Sequence, residues 1–559
     1  MLNMKTWKQN KRYILTAITV LFVVGLVIFA ISSALVPVQY LVVAAVLLFA
    51  ICLLLVVLQR KWGRIRFAVS VVIEVFVIAV SCYGMSVFYH AAHMVHEITE
   101  TVTETESVSA YVLSDCGYQS LKEAAQDNIG IVSGQSAEAV DKVLTDVFAE
   151  DKAVLRLIRY DDMFEAVDAL RDSSITVLVL NDAYAGLISE IEGYEWFITE
   201  TKVLEHFLQE VETEVKFEEM SEQQGQGDGL GISGEKNTGE EPAEIQTPET
   251  EAAGDREGAD TKEVADVKED ADTKPGEPVK ELMEAPEQVD WNALVNRELL
   301  EVPEGAFVLY VSGVDTWGSA GARSRSDVNI LAVVNTNTKE VLLVSTPRDY
   351  YVPLSNSNGV KDKLTHAGIY GIDTSIGTLE LLYGVDIQYY VRMNFTGFVN
   401  IVDAVGGVDV YSDTTFSVGD AFSYTEGINH MNGIEALAFA RERHSFAGGD
   451  RARGTHQMEV IKAVLNKCTS SAILYNYADV MNSISGCFTT NMPQDKIASL
   501  VRMQLGDMAQ WTITSMSVDG TGASKTTYTV PGKKAYVMIP DDTTVQRAKE
   551  SIATVLGGQ

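Results

Sequence analysis

Positive charge is scarce in this chain: 43 lysines and arginines stand against 77 aspartates and glutamates, a net charge of -34 over 559 residues. A general nucleic-acid binder needs a basic face to neutralise phosphates, so that function class is excluded. Cysteine is scarce as well, and five in a chain of this length do not make a disulfide scaffold. Cys52 and Cys82 fall in apolar runs. Cys468 and Cys487 are the pair an oxidising compartment would join; otherwise they are free, mostly buried thiols. Charge is absent from residues 13–36 and 38–58, and from 67–90 apart from Glu74. A helix needs about 20 residues to cross the hydrocarbon core, so each run is long enough to span a bilayer, and three such runs are not one cleaved signal peptide. Aromatic residues are absent from 218–290, where Glu, Asp, Gly, Pro, Thr and Lys dominate. Such a segment cannot bury enough apolar surface to offset its chain entropy, and it reads as a disordered, self-repelling acidic linker.

What is present organises the remainder. Lys5, Lys8, Lys11 and Arg12 precede the first apolar run, and Arg60, Lys61, Arg64 and Arg66 separate the second from the third. The turn near Pro37 and the stretch EITETVTETE after the third run contain neither Lys nor Arg. The positive-inside rule makes residues 1–95 a multi-pass anchor in the cell membrane, with the N-terminus cytoplasmic and everything beyond about residue 92 outside. Glu74, costly in lipid, is expected to face a neighbouring helix. Residues 108–216 alternate helical patterns (AVDKVLTDVFAE, MFEAVDALRD) with strand-like runs (NIGIVS, ITVLVLND) and form a smaller α/β accessory domain. The pattern resembles part of a periplasmic solute-binding fold, with NIGIVSG as a first strand and LNDAYAGLI as a later one. Residues 291–559 interleave strand runs such as FVLYVSGVD and QYYVRMNF with helices such as GIEALAFAR, which predicts an α/β/α sandwich.

Within that domain, polar clusters follow or open the strand runs, at the edge where α/β sheets place their sites. Asp315 ends the first run, Arg325 and Asp327 open the second, Arg348 and Asp349 end the third, and Lys363 and His366 follow. Residues 439–457, FARERHSFAGGDRARGTHQ, then gather Arg441, Arg443, Arg451 and Arg453. Arginines concentrated in so acidic a chain need a reason, and the guanidinium fork matches phosphate oxygens. Asp450, Arg453 and Gln457 are spaced by three and then four, which puts them on one helix face, with Asp450 suited to the N-cap. Val460, Ile461, Val464 and Leu465 keep helical spacing and would anchor the other face. Two readings follow: a phosphate and metal site at a helix start, or surface arginines paired with local acids.

Together these motifs resemble the LytR–CpsA–Psr family of cell-wall glycopolymer transferases. They are GVD at 313–315, RSD at 325–327, PRD at 347–349, the KLTHA segment, and R-x-R followed by GD-x-x-R-x-x-x-Q. One position departs: many members have Arg immediately before the glutamine, where this chain has His456, removing a permanent charge from the site. The resemblance implies transfer of a glycopolymer from a polyprenyl-pyrophosphate carrier to a hydroxyl of peptidoglycan, through a phosphodiester, in a Gram-positive wall. It implies that Arg325, Arg348, Arg441, Arg443, Arg453 and Gln457 bind pyrophosphate and that Asp315 and Asp450 hold Mg²⁺. Either Asp327 or Asp349 then orients an arginine or accepts the acceptor's proton. The competing classes are a polyprenyl pyrophosphate hydrolase and a non-enzymatic membrane sensor or regulator. The sequence does not fix the polymer, the accessory domain's ligand or the oligomeric state.

Overall fold

The computed structural model describes residues 2–33, 36–60, 64–99, 104–124, 126–134, 137–149, 155–211, 285–314, 316, 321–443, 445–446, 450–470, 484 and 486–557. The expected linker therefore lies outside the described residues up to 284. Three long helices open the chain: α1 (Leu2–Ser32), α2 (Val38–Arg60) and α3 (Arg64–Thr99). Their segments Ile14–Ser32, Val38–Leu58 and Ile65–Tyr89 are long and apolar enough to cross a membrane. Between α1 and α3 the Leu26 side chain packs onto Gly84, where a Cβ would stand 2.7 Å from Leu26 Cδ1. Glu74 is buried, and its carboxylate accepts a hydrogen bond from Thr16 Oγ1 at 2.5 Å across the same pair. A polar contact between helices is how lipid tolerates such a side chain.

The accessory module contains β1 (Glu104–Leu113), β2 (Asn128–Val132), α4 (Ala137–Phe148), β3 (Arg156–Tyr160), α5 (Met163–Arg171), β4 (Val177–Asn181), α6 (Asp182–Ser189), α7 (Trp196–Glu200) and β5 (Thr201–Val211). Its sheet runs β3-β2-β4-β1-β5, parallel across the first three strands and antiparallel across the last two pairs. Strand alternation sends Val108, Ala110 and Val112 to the face covered by α4, and Tyr111, Leu178 and Leu180 to the face covered by α5 and Phe197. Two expectations change. NIGIVSG is not the first strand, because β1 begins at Glu104, ahead of the expected domain start at residue 108. LNDAYAGLI is not a strand: Asn181 ends β4, accepts a hydrogen bond from the Ala183 amide and starts α6. The N-cap chemistry of Asn outweighs the apolar run after it.

The C-terminal domain has α8 (Trp291–Val295), β6 (Ala306–Val314), β7 (Ser326–Asn335), β8 (Glu340–Ser345), β9 (Tyr351–Pro353), β10 (Lys361–Lys363), α9 (Ile372–Tyr383), β11 (Tyr389–Met393), α10 (Phe395–Ala404) and β12 (Val408–Ser412). It continues with β13 (Phe416–Val418), β14 (Phe422–Tyr424), β15 (Gly427–Met431), α11 (Gly433–Arg441), α12 (Asp450–Cys468) and β16 (Phe488–Thr490). It ends with α13 (Gln494–Asp507), β17 (Thr512–Ser517), β18 (Gly520–Thr526), β19 (Lys534–Pro540) and α14 (Asp542–Leu556). Six strands form the central sheet in the order β16-β11-β6-β7-β8-β17. Leu331, Val333, Leu342 and Val344 face α9 and α14, meeting Ile376, Leu379, Val545 and Ile552. Ile330, Ala332, Val341 and Leu343 face α12, meeting Met458, Ile461 and Leu465. Period-two strands covered by helices on both faces make an α/β/α sandwich. The domain is joined before residue 291, since Gln288 bridges to Val360 and Glu287 pairs with Lys361 and Lys525. Cys468 and Cys487 are free thiols, not a disulfide.

The two α/β parts meet along a buried ionic seam. The Thr105 amide donates to Gly321 O, and the Arg323 amide donates back to Thr105 O at 2.7 Å. Glu104 takes Arg323 Nε at 2.6 Å and Arg392 Nη1 at 3.0 Å, and Glu106 takes Arg323 Nη1 at 3.1 Å. Leu187 and Ile191 add apolar contact with Ile369, Val530 and Ala535. Glu104 and Arg392 are each only 2% exposed, so removing Arg392 takes one of two cations from a buried carboxylate and leaves it Arg323 alone. Arg392→Met should lower stability by about 3 kcal/mol, read as a fall in Tm, and expose the junction to protease. Pairing it with Glu104→Leu should restore much of the loss, because the under-paired carboxylate is then gone and Arg323 keeps Glu106.

Candidate active site

Strands β6, β8, β11 and β17 point the same way, because β6 and β11 are parallel, β8 and β17 are parallel, and β7 is antiparallel to both β6 and β8. Their carboxyl ends and the start of β7 therefore lie at one sheet edge. That edge collects the polar motifs scattered along the sequence. Arg325 precedes β7, Asp327 is its second residue, and Arg348 and Asp349 follow β8. Lys363 ends β10 and leads into a 3-10 helix over Leu364–Tyr370.

Arg348 is the hub. Its Nη1 donates to both Asp327 oxygens, at 3.2 and 3.1 Å, and its Nε lies 3.6 Å from Asp349 Oδ2. Thr365 Oγ1 donates to Asp327 Oδ1 at 3.0 Å. Lys363 Nζ, with its side chain 3% exposed, sits 3.3 Å from Asp349 Oδ1. A third anion enters from the accessory module: Glu190, just after α6. One of its oxygens lies 2.5 Å from Arg325 Nη1 and 3.8 Å from Arg348 Nη2, and the other lies 3.0 Å from Lys363 Nζ. Burial opposes ionisation of Glu190, but the fields of Lys363, Arg325 and Arg348 outweigh it and hold its pKa down at about 2. Its carboxylate is therefore ionised throughout the physiological range.

The arginine stretch reaches the same edge from above. Asn432 and Glu435 close a capping box at the start of α11, and Arg441 ends that helix. Its guanidinium stacks 4.2 Å over the Phe395 ring. Phe395 follows β11, and its amide donates to Thr316 O, one residue past Asp315. Helix α12 begins at Asp450, and its first turns cross the end of β8: a Cβ on Gly454 would stand 3.2 Å from Ser345 Oγ. Arg453 and Gln457 lie on α12 half-buried, and Arg443 is exposed beside the end of α11. Arg451 is exposed and pairs with Asp519 at 2.6 Å. Asp315 lies outside the described residues, as does the side chain of Asp450. Among the described residues no cluster of three or more His, Cys, Asp or Glu could hold a metal ion.

Two histidines of these motifs lie apart from the cationic cluster. His366 Nδ1 meets Asp362 Oδ1 at 2.6 Å in a buried pair, and Asp362 also accepts from the Thr529 amide. This pair braces the 3-10 helix. His456 does not face the site. It is 5% exposed, parallel to Phe416 at 5.4 Å and packed on Phe439 and Phe446. The missing arginine is thus replaced by a ring inside an aromatic cluster. Lys363 and Thr365 lie within the recognised motifs, but Glu190 had no signal. It sits in an unremarkable stretch 135 positions from Arg325.

The sequence profile of the LytR_cpsA_psr family matches residues 262–550, just over half of the chain. The chain belongs to this family. It is 39% identical over 186 residues to the polyisoprenyl-teichoic acid–peptidoglycan teichoic acid transferase TagU of Bacillus cereus, which is 33% of this chain and 60% of that protein. The TagU of Oceanobacillus iheyensis is 32% identical over 209 residues, 36% of this chain and 64% of the relative. The chain thus spans rather less than two thirds of these relatives. Among solved structures, that of B. subtilis TagV is 25% identical, with 46% of this chain and 99% of that one covered at a TM-score of 0.39.

Burial outweighs the nearby carboxylates of Asp413, Glu442 and Glu459 and lowers the His456 pKa, so the ring is neutral in the fold. The unfolded chain takes up the proton first, and stability should fall as pH drops below about 6.5. The pH slope of Tm should be shallower in His456→Phe. His456→Arg should cost about 3 kcal/mol or more, because it buries a charge among phenylalanines.

Proposed function

We propose that this protein transfers a glycopolymer from a polyprenyl-pyrophosphate carrier to a hydroxyl of peptidoglycan, forming a phosphodiester link. The observation that carries this reading is the convergence of Arg325, Arg348 and Lys363 at one sheet edge, with Arg441 and the start of α12 beside them. The relatives are named polyisoprenyl-teichoic acid–peptidoglycan teichoic acid transferases, and that name fits this chemistry.

In this account the cations bind the donor's pyrophosphate. Asp327, both oxygens engaged by Arg348, holds that guanidinium in orientation. An acceptor hydroxyl attacks the phosphorus nearer the polymer. A new P–O bond forms, the bridging P–O bond breaks, and lipid phosphate leaves with the bond's electron pair. The hydroxyl proton passes to a carboxylate at the edge, Asp349 or Asp327. Negative charge grows on the leaving oxygen, where fixed guanidinium donors stabilise the transition state more than the ground state. Arg443, Arg453 and Gln457 extend the same surface.

Mg²⁺ fits the donor set in kind. Asp450 opens a helix whose first turns cross the end of β8, and in sequence Asp315 is the residue after Val314, the last of β6. Two carboxylates leave room for substrate oxygens, which suits an ion that shares its shell with phosphates. When bound, it would neutralise phosphate charge.

The same reading places the C-terminal domain outside the membrane. In support, Gln39 at the start of α2 donates to Gly506 O at 3.0 Å, a contact at the end of the helices away from the lysine-rich N-terminus. Ile428 is 66% exposed on β15. In a background with the native cysteines replaced, Ile428→Cys should react with an impermeant maleimide on intact cells. Labelling only after lysis would invert the topology.

The function itself is tested with the full-length protein in detergent, a lipid-linked donor and peptidoglycan. Arg348→Ala should lower kcat/KM about 100-fold or more, as loss of an oxyanion donor does. Arg451→Ala, which removes an exposed pair, should stay within about twofold. Transfer of polymer supports the proposal, and release to water without transfer would assign a hydrolase instead.

A further inference from the structure

We propose that Glu190 is an internal stand-in for substrate phosphate: the accessory module holds its carboxylate in the cationic pocket, and the donor must displace it to bind. This inference rests on the pyrophosphate reading of that pocket. Glu190 contributes no β-strand pairing and belongs to the other module, yet it is within 4 Å of all three pocket cations. Its two oxygens divide between Arg325 and Lys363 as two phosphate oxygens would.

The placement is built into α6. Gly186 packs against the Arg325 guanidinium, where a Cβ would stand 2.9 Å from Nη2, so a larger side chain would displace the guanidinium from its place beside Glu190. Leu187 and Ile191 flank the turn and seat it on Ile369 and Val530. At the other end of α6, Asp182 accepts from Tyr111 Oη at 2.6 Å and from Ser107. The module does not depend on Glu190 for its attachment, because Glu104 and Glu106 already bind Arg323 and Arg392 in the buried seam. The carboxylate can therefore leave while the module stays.

Charge and exposure also single it out. Three cations face three carboxylates here, and Glu190, at 29% side-chain exposure, is the most open of the three, against 13% for Asp327 and 5% for Asp349. Withdrawing it leaves three cations against two carboxylates, a surplus that an incoming anion can satisfy. The occupied pocket is closed to weak anions, and a donor with two linked phosphates and further contacts at the arginine stretch outcompetes one carboxylate.

The test is titration of the full-length protein in detergent with inorganic pyrophosphate, for wild type, Glu190→Gln, Glu190→Asp and Arg348→Ala. Glu190→Gln should bind about tenfold more tightly, the scale of one charge-assisted contact. Glu190→Asp keeps the charge but is one methylene too short to reach, so it should also bind several-fold more tightly. In the transfer reaction both should lower the donor KM and leave kcat unchanged. Tighter binding in Gln but not in Asp would reduce the effect to a long-range field and overturn the plug, as would loss of kcat in Glu190→Gln. If Arg348→Ala weakens binding and neither Glu190 variant strengthens it, the plug falls and the pyrophosphate site stands. If Arg348→Ala binds as wild type does, the site and the plug fall together.

Discussion

Three cationic side chains brought to one sheet edge repel one another, and the active-site architecture follows from how that repulsion is met. Arg348 carries most of it, held by Asp327 on one side and beside Asp349 on the other. Lys363 is nearly buried and leans on Asp349 and Glu190. A buried ammonium requires a partner, because desolvation penalises an isolated charge heavily. The fold supplies two of the three carboxylates from strand ends and the third from a separate module. An anionic ligand that replaces the third gains the contacts the module had provided.

The rest of the molecule can be read as support for that edge. The α/β/α packing of β6, β7 and β8 between α9, α14 and α12 fixes the strand ends to which Arg348 and Asp327 are attached. The seam around Glu104, Arg323 and Arg392 fixes the accessory module, and with it α6. These are two different ionic networks with different jobs. The seam is buried, whereas the pocket is partly open, with Glu190 its most exposed carboxylate. The three N-terminal helices carry segments long and apolar enough to cross a membrane, and α2 touches the C-terminal domain through Gln39.

Much of the catalytic domain was legible because its signals are local. Alternating strand runs gave the sheet, and the endings at Gly313–Asp315 and Pro347–Asp349 marked one edge before any coordinate did. The motif spacing of Arg441, Asp450, Arg453 and Gln457 led to the family. Other features depend on distance in sequence, and no local pattern reports them. Glu190 and Arg392 are ordinary charged residues until the modules dock. His456 stood out as the departure from the family's arginine, but its burial in the aromatic cluster of Phe416, Phe439 and Phe446 had no local signal. LNDAYAGLI looked like a strand because an apolar run does not reveal that Asn181 caps a helix.

The most direct measurement is an experimental structure of the full-length protein with inorganic pyrophosphate bound. The account predicts density between Arg325, Arg348 and Lys363, the Glu190 carboxylate turned out of that space, and the Glu104–Arg392 seam intact. Pyrophosphate bound elsewhere, with Glu190 still bridging Arg325 and Lys363, would contradict it.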